Sequence, residues 1–382
     1  MSFAFLAVTL IALGLALLGV RERELRGAWW VPAMVAAELA PWFLLGLAAM
    51  TGLSVVAGWT GAVTGAAGLA AAFAAGVLFG WAAMRARRAR PAIEAGLADL
   101  LGVPVLLPRI AFRRRLRPFP PLPGPFEIET FAYGPHDRHR VDRIAHPGAG
   151  TGPVFIHVHG GGWWRGSRGR QARPLIHRMA SMGWVVLTPT YRLSPEATFP
   201  DHLDDIQRLL AWVRESAAAL RADTGFVAIA GGSAGGQLAA LAGFGPGAPD
   251  VVIPIYGVHD LLGPDGMSEK WPYLRTAVMK SDPQTDRDAW IRASPARAAT
   301  AERPPFLVVH GAADWVVDAV ESRSLVDAMR AAGGPAVGHI EVPYANHGFD
   351  FFASARSLLL AEGIAVALEA LNARRLERAE DA

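Results

Sequence analysis

The sequence predicts an α/β domain with a mainly parallel central sheet, preceded by an all-α transmembrane domain of about three helices. Three observations lead to this reading. Apolar residues make up 52% of the 382-residue chain, and their excess lies ahead of residue 85. From about residue 126, short β-rich runs alternate with helical patterns. Between one such run and the helix after it, "AIAGGSAGGQLAA" (228–240) wedges Ser233 among glycines.

From Ser2 to Met84 the only charged residues are Arg21, Glu22, Arg23, Glu24, Arg26 and Glu38. A bilayer core takes about 20 apolar residues of helix. Phe3–Val20 falls slightly short of that, whereas Trp29–Met50 and roughly Ala62–Met84 reach it. A cleaved signal peptide is the rival reading of the first segment, but that segment lacks a basic start and a small-x-small cleavage pattern. Glu38 is costly in hydrocarbon unless it faces protein or an interface, so a structural hydrogen bond is expected of it. The pairs Gly61/Gly65 and Gly76/Gly80 match the spacing that lets helices approach closely in lipid, which admits a homodimer through the transmembrane helices.

Basic loops set orientation. Arg21, Arg23 and Arg26 follow the first apolar segment, and Arg85, Arg87, Arg88 and Arg90 follow the third. Two spans separate the clusters, so both can face the cytoplasm together with everything after Arg85. Up to residue 125 there are twelve arginines and five acidic residues, a local charge of +7 within an overall +3. Arg113, Arg114, Arg115 and Arg117 extend the cluster, and such runs suit anionic headgroups. No nucleic-acid reading motif accompanies them, and nucleic acid is not an expected partner. The absence of cysteine excludes disulfides, thiolate metal sites and a thiol nucleophile.

The expected domains are a transmembrane unit over 1–90, a basic, proline-rich connector over 91–125, and a catalytic α/β domain over 126–382. The connector reads as an interfacial segment followed by an extended linker, since its prolines oppose a long helix. In the third part "PVFIHVHG", "GWVVLTPTYR", "GFVAIAGG", "DVVIPIYG" and "PFLVVHGAAD" are buried-strand runs, with helical patterns such as 201–222 and 318–332 between them. Strands alternating with helices point to a parallel sheet, whose ligands bind beyond the carboxyl ends of the strands. The long irregular run 257–303 suggests a cap or binding insert.

Gly231-Gly232-Ser233-Ala234-Gly235 is a G-x-S-x-G pattern between strand and helix, the setting in which a strained turn exposes a nucleophile. A serine needs a base, and the chain holds eleven histidines. His347 in "YANHGFD" follows a late β-like run and lies after every acid candidate, in the order serine, acid, histidine. His157 and His310 fall in strand runs and His177 and His202 on helical stretches, which are structural settings. Asp314 in "VVHGAADWVV" stands at a strand end where it can orient an imidazole, whereas Asp318 suits the start of the next helix. "HVHGGGWW" leaves the N–H groups of Gly160, Gly161 and Gly162 unobstructed, and Ala234 adds another donor for a developing oxyanion. The alternative use of a glycine loop, phosphate binding, lacks its lysine motif.

"HGGGWW", "YRLSPEATFPDHLDDI", "GGSAGG", "ASPARAATAERPPFLVVHGAAD" and "NHGFD" together resemble the hormone-sensitive-lipase-type branch of the α/β-hydrolase fold, which contains bacterial carboxylesterases and lipases. The resemblance covers roughly 125–375. It implies that Ser233, Asp314 and His347 are the catalytic triad and that Gly161, Gly162 and Ala234 are the oxyanion donors. The tryptophan-bearing loop is also similar to that of isoprenylcysteine methylesterases and kynurenine formamidases. Two features depart from the branch: "TYR" stands where many members have "DYR", and the apolar spans have no counterpart in the usual soluble enzyme.

The expected function is therefore a membrane-anchored serine carboxylester hydrolase working through an acyl-enzyme. It would use no cofactor and no metal, and act on an amphipathic ester delivered from membrane lipid. An amidase or formamidase with the same triad is the alternative, and a non-catalytic membrane scaffold is the alternative from a different class. Trp163 and Trp164, together with Trp271 and Tyr273 of the insert, are the expected walls of an acyl pocket. For Trp271, plain core packing is an equal reading.

Overall fold

The computed structural model describes residues 1–21, 29–115, 117–120, 124–148, 150–263 and 271–380. Arg23 and Arg26 of the first basic cluster lie outside these residues, as does part of the 257–303 insert.

The N-terminal unit comprises α1 (Ser2–Val20), α2 (Trp30–Glu38), α3 (Ala40–Val56) and α4 (Val63–Arg85). Helix α1, and α4 with the helical run that continues to Leu101, are long and apolar enough to cross a membrane. The expected second span is not one straight helix. It breaks after Glu38, and α2 and α3 are bent by 75°. Pro41 fits the first turn of α3, where a missing N–H costs nothing. Helices α1 and α4 meet closely: a Cβ on Gly68 would stand 2.6 Å from the Phe5 ring. Of the glycine pairs expected to join two copies, Gly76 faces Leu44 of the same chain and Gly80 meets open space.

The connector departs from expectation. Residues 89–101 form α5 (Ala89–Leu101), with Ile93 and Leu97 fully buried in one core with Phe155 and Ile253. Pro91 sits in the first turn, after the short 3₁₀ segment Ala86–Arg88, so it starts the helix instead of barring it. Close backbone contact makes the packing specific. A Cβ on Gly96 would lie 2.5 Å from the His339 carbonyl oxygen, and one on Gly338 2.4 Å from that of Gly96. A four-residue turn, α6 (Phe112–Arg115), is the only other helix in the connector among the described residues.

Eight strands then form one sheet in the order β1-β2-β4-β3-β5-β6-β7-β8. They are β1 (Glu127–Ala132), β2 (Arg140–Ala145), β3 (Gly152–Val158), β4 (Val185–Pro189), β5 (Ala222–Gly232), β6 (Val251–Ile255), β7 (Phe306–Gly311) and β8 (Val337–Val342). The β1–β2 and β2–β4 pairs are antiparallel and the rest parallel. The helices between them are α7 (Arg173–Ser181), α8 (Asp201–Glu215), α9 (Ala217–Leu220), α10 (Ala234–Ala242), α11 (Arg287–Arg292), α12 (Pro295–Ala298) and α13 (Val320–Ala332), and α14 (Ala355–Glu380) closes the chain.

Strand alternation divides the core between the two faces of the sheet. Phe155, Ala228 and Ile253 pack with α5, α7 and α14 residues such as Ile93, Ile176 and Ile364. Val154, Ile156, Val227 and Ile229 pack on the other face with Ile206, Leu238 and Leu325 of α8, α10 and α13. The chain runs from β3 outward to β4, then returns to the far side of β3 as β5. That reversal opens a crevice at the carboxyl ends of β3 and β5, where an open α/β sheet binds its ligand.

Candidate active site

Ser233 follows β5 with φ 56° and ψ −121°, a conformation that costs a non-glycine residue about 1–3 kcal/mol. Its neighbours explain how the turn is held. The Ser233 N–H donates to the Ile255 carbonyl at 2.9 Å, and its own carbonyl accepts from Gly236 and Gln237. A Cβ on Gly231 would meet the Gly235 carbonyl oxygen at 2.2 Å, and one on Gly235 the Val158 carbonyl oxygen at 2.3 Å. Glycine is required here because strand, helix and the neighbouring β3 loop share one narrow space.

His347 lies in the loop after β8 and Asp314 after β7. The His347 Nδ1 and Asp314 Oδ2 are 2.7 Å apart. A carboxylate only accepts, so Nδ1 carries the hydrogen and Nε2 presents its lone pair. The other Asp314 oxygen accepts from the Val316 and Val317 N–H groups at 2.8 and 2.9 Å. Burial alone would raise the Asp314 pKa. The electrostatic effect of the adjacent His347 ring and hydrogen bonds from His310 and His347 outweigh it, and hold the carboxyl well below the usual carboxylate range. Asp318 is instead an exposed acceptor for the Val320 N–H at the start of α13.

The Gly160 N–H is taken by the Gln171 side chain at 2.7 Å. Among the described residues, the N–H groups of Gly161, Gly162 and Ala234 have no acceptor in the chain. The structure thus brings together Ser233, His347 and the Gly161–Gly162 loop around one cavity of about 850 Å³. A hydroxyl, an imidazole lone pair and free N–H donors around one space can perform acyl transfer.

Each expected pocket residue borders this cavity. Trp163 does so while buried, its indole N–H donating to Gln237 Oε1 at 3.1 Å. Trp164 is 53% exposed and lies near Tyr273, which in turn packs edge-on to Trp271. The Tyr273 hydroxyl stands 2.8 Å from where a Gly162 Cβ would be, so the insert does reach the β3 loop.

Sequence reasoning missed five contributors. His310 reaches within 3.5 Å of Asp314 while its Nε2 bonds the Val317 carbonyl, so this strand histidine supports the acid. Tyr256 packs on the His347 ring at 4.7 Å and donates a hydrogen bond to buried Asp350. Burial pushes the Asp350 carboxyl up to about 6, partly offset by that hydrogen bond. Trp30 and Val31 of α2 also border the cavity, with the Trp30 ring edge-on to His347 at 5.6 Å. By contrast the "YRLSPEATFPDHLDDI" stretch is structural: Arg192 bonds both oxygens of fully buried Asp205, which also meets His139.

A family model described as BD-FAE matches residues 144–329, a range that includes Ser233 and Asp314. Esterase LipQ of Mycobacterium tuberculosis is 36% identical over 289 residues, covering 70% of this chain and 69% of LipQ. The chain is an α/β-hydrolase esterase. Esterase LipC of the same organism is 34% identical over 245 residues, 60% of this chain and 61% of LipC. Esterase B of Lactobacillus rhamnosis has the same fold, with a TM-score of 0.57 at 19% identity over 71% of this chain and 94% of that one. As an esterase of this family the chain is a carboxylesterase-type hydrolase, and the helices ahead of residue 86 precede the part matched by the family model.

Proposed function

We propose that this esterase is membrane-anchored and cleaves amphipathic carboxylic esters through a Ser233–His347–Asp314 triad, in the manner of hormone-sensitive-lipase-type enzymes. The observation that carries the reading is the 2.7 Å His347–Asp314 contact beside a strained Ser233 in one cavity. In the first half-reaction His347 Nε2 takes the hydroxyl proton as Ser233 Oγ bonds to the ester carbonyl carbon. Gly161, Gly162 and Ala234 receive the oxyanion. Collapse breaks the acyl carbon–oxygen bond, and His347 returns the proton to the departing alcohol. In the second half water attacks the acyl-enzyme, His347 takes its proton, and the acid leaves as Ser233 recovers its own. Asp314 stabilises the imidazolium throughout and stays ionised.

Membrane attachment is supported by the outer surfaces of the N-terminal helices. Phe3, Ile11, Leu45, Leu53, Val56 and Phe73 are more than half exposed on helices with almost no charge, a belt expected of lipid contact and not of water. The arginine clusters after the first and third apolar segments support a cytoplasmic position for the esterase domain.

Ser233→Ala in the full chain is the test. Hydrolysis of p-nitrophenyl butyrate should fall by at least about 10³-fold with the fold intact, and labelling by a fluorophosphonate should vanish. Retained activity in this variant overturns the assignment.

A further inference from the structure

The chemistry of ester cleavage assigns directions within the cavity. When Ser233 Oγ has added, the former carbonyl carbon also carries the oxyanion, the acyl chain and the alcohol oxygen. The oxyanion turns to the β3 loop and Ala234. The alcohol oxygen turns to the nitrogen that protonates it as it leaves. That nitrogen is His347 Nε2, because Nδ1 is held 2.7 Å from Asp314. Side chains that border the cavity beside His347 therefore meet the alcohol half of the ester.

The Nδ1 edge of the ring is closed off by fully buried Asp314, so His347 meets the cavity with its Nε2 edge. Trp30 borders the same cavity and packs edge-on to the His347 ring at 5.6 Å, with Val31 next to it on α2. Phe351 and Val316, from the loops that carry His347 and Asp314, also border it. This side is apolar, whereas Arg165 and Arg170 border the cavity from the loop after β3.

Helix α2 is fastened where such a wall needs it. Glu38 at its far end bonds Arg356 of α14 at 2.8 Å, and Arg356 also donates to the Pro343 carbonyl. From the region after α4, Arg88 donates to the Tyr344 hydroxyl at 2.6 Å. These contacts tie the N-terminal unit to the segment that leads into His347.

We infer that Trp30 and Val31 form the wall against which the alcohol half of the ester lies, and that they select esters whose alcohol carries an apolar chain or ring. The inference rests on Ser233 being the nucleophile and His347 its base. Both wall residues precede the part matched by the family model, so the apolar N-terminal unit completes the substrate site. A long alkyl group leaving the alcohol oxygen runs along the Trp30 ring, and an ethyl group ends before reaching it. Losing the ring removes contact with about two methylenes, roughly a tenfold effect.

The test uses octyl butyrate and ethyl decanoate, isomers that differ only in which side of the carbonyl carries the chain, with the full-length protein in lipid nanodiscs. Trp30→Ala should lower the ratio of kcat/KM, octyl butyrate to ethyl decanoate, about tenfold, and Trp30→Phe should hold it within about twofold of wild type. A loss common to both esters cancels in the ratio. An unmoved or raised ratio in Trp30→Ala, with Ser233 still labelled by a fluorophosphonate, overturns the inference and leaves the triad standing. Failure of the wild type to react with the probe at Ser233 would overturn the triad and the inference with it. A second measurement does not depend on Trp30→Ala folding. The chain has no cysteine, so Val31→Cys creates a single thiol. Capping that thiol with sulfonatoethyl methanethiosulfonate sets a charge in the wall, which should lower the same ratio at least about tenfold, and reduction should restore it. A ratio that capping leaves unchanged counts against the wall.

Discussion

Replacing Glu38 by leucine tests the joint between the N-terminal helices and the catalytic domain. The Glu38 and Arg356 side chains are 1% and 2% exposed, and their 2.8 Å contact joins positions 318 residues apart. Removing one member of a buried pair costs about 3–5 kcal/mol, because the survivor stays buried without its partner. The two deletions should not be equal. A lone carboxyl can escape the cost by taking up a proton, but a guanidinium cannot be neutralised in a protein. Glu38→Leu should therefore be the more damaging, with Arg356→Met intermediate. The double variant Glu38→Leu/Arg356→Met should recover much of the loss, since an apolar pair of similar volume replaces two desolvated charges.

For a chain of this length, 3–5 kcal/mol corresponds to a fall of roughly 4–6 °C in the thermal midpoint. Inactivation of esterase activity and loss of intrinsic fluorescence, followed together in nanodiscs, would measure it. Because Arg356 also holds the Pro343 carbonyl, ahead of His347 in the same loop, Glu38→Leu should lower kcat for p-nitrophenyl butyrate well below its melting range. A Glu38→Leu protein as stable as wild type, or a double variant worse than both single ones, would refute the reasoning.

Two further outcomes follow from the site. Gly235→Ala should cripple turnover more than stability, since its Cβ would stand 2.3 Å from the Val158 carbonyl oxygen and 2.7 Å from that of His159, which forces the Ser233 turn away from the β3 loop; activity per fluorophosphonate-reactive site measures it, and wild-type turnover would contradict the geometry. Asp350 has a folded-state pKa of about 6 against an ordinary value of 3.8, so its protonated form suits the core and the stability it contributes is lost as pH rises from about 4 to 6. Asp350→Asn cannot ionise and should gain on wild type over that window by on the order of 3 kcal/mol, read as the difference in thermal midpoints at pH 4.5 and 7.5. A difference that does not change with pH would contradict it.

What the sequence made legible was local. Ser233 could be found because its glycines, strand and helix lie within thirteen residues, and the steric demand that selects those glycines acts over the same span. Asp314 and His347 could be placed because a parallel sheet puts strand ends on one edge, so each late strand offers one loop to search. His310 escaped notice for a matching reason: a histidine in a buried strand reads as core, and nothing local shows that its ring edge reaches Asp314. The error over α5 has a different origin. Pro91 and the prolines after it weigh against a helix when only neighbours are considered, and the opposing force is tertiary, the burial of Ile93 and Leu97 and the glycine contact with β8.

The break between α2 and α3 shows where composition alone misleads. Trp29–Met50 has the length and apolarity of a membrane span, and hydropathy cannot distinguish residues that face lipid from residues that face protein. The acid in the middle is the discriminating feature. A carboxylate within an apolar run must be paired, and a partner as strong as arginine is found here on α14 of the catalytic domain, not on another N-terminal helix. Pairing with it draws α2 onto that domain, so the chain must bend before α3 can leave along its own axis. The same bend sets Trp30 beside His347. Glu38 thus links the apolar segment to the chemistry: one buried ion pair turns half of an apparent span into a wall of the cavity.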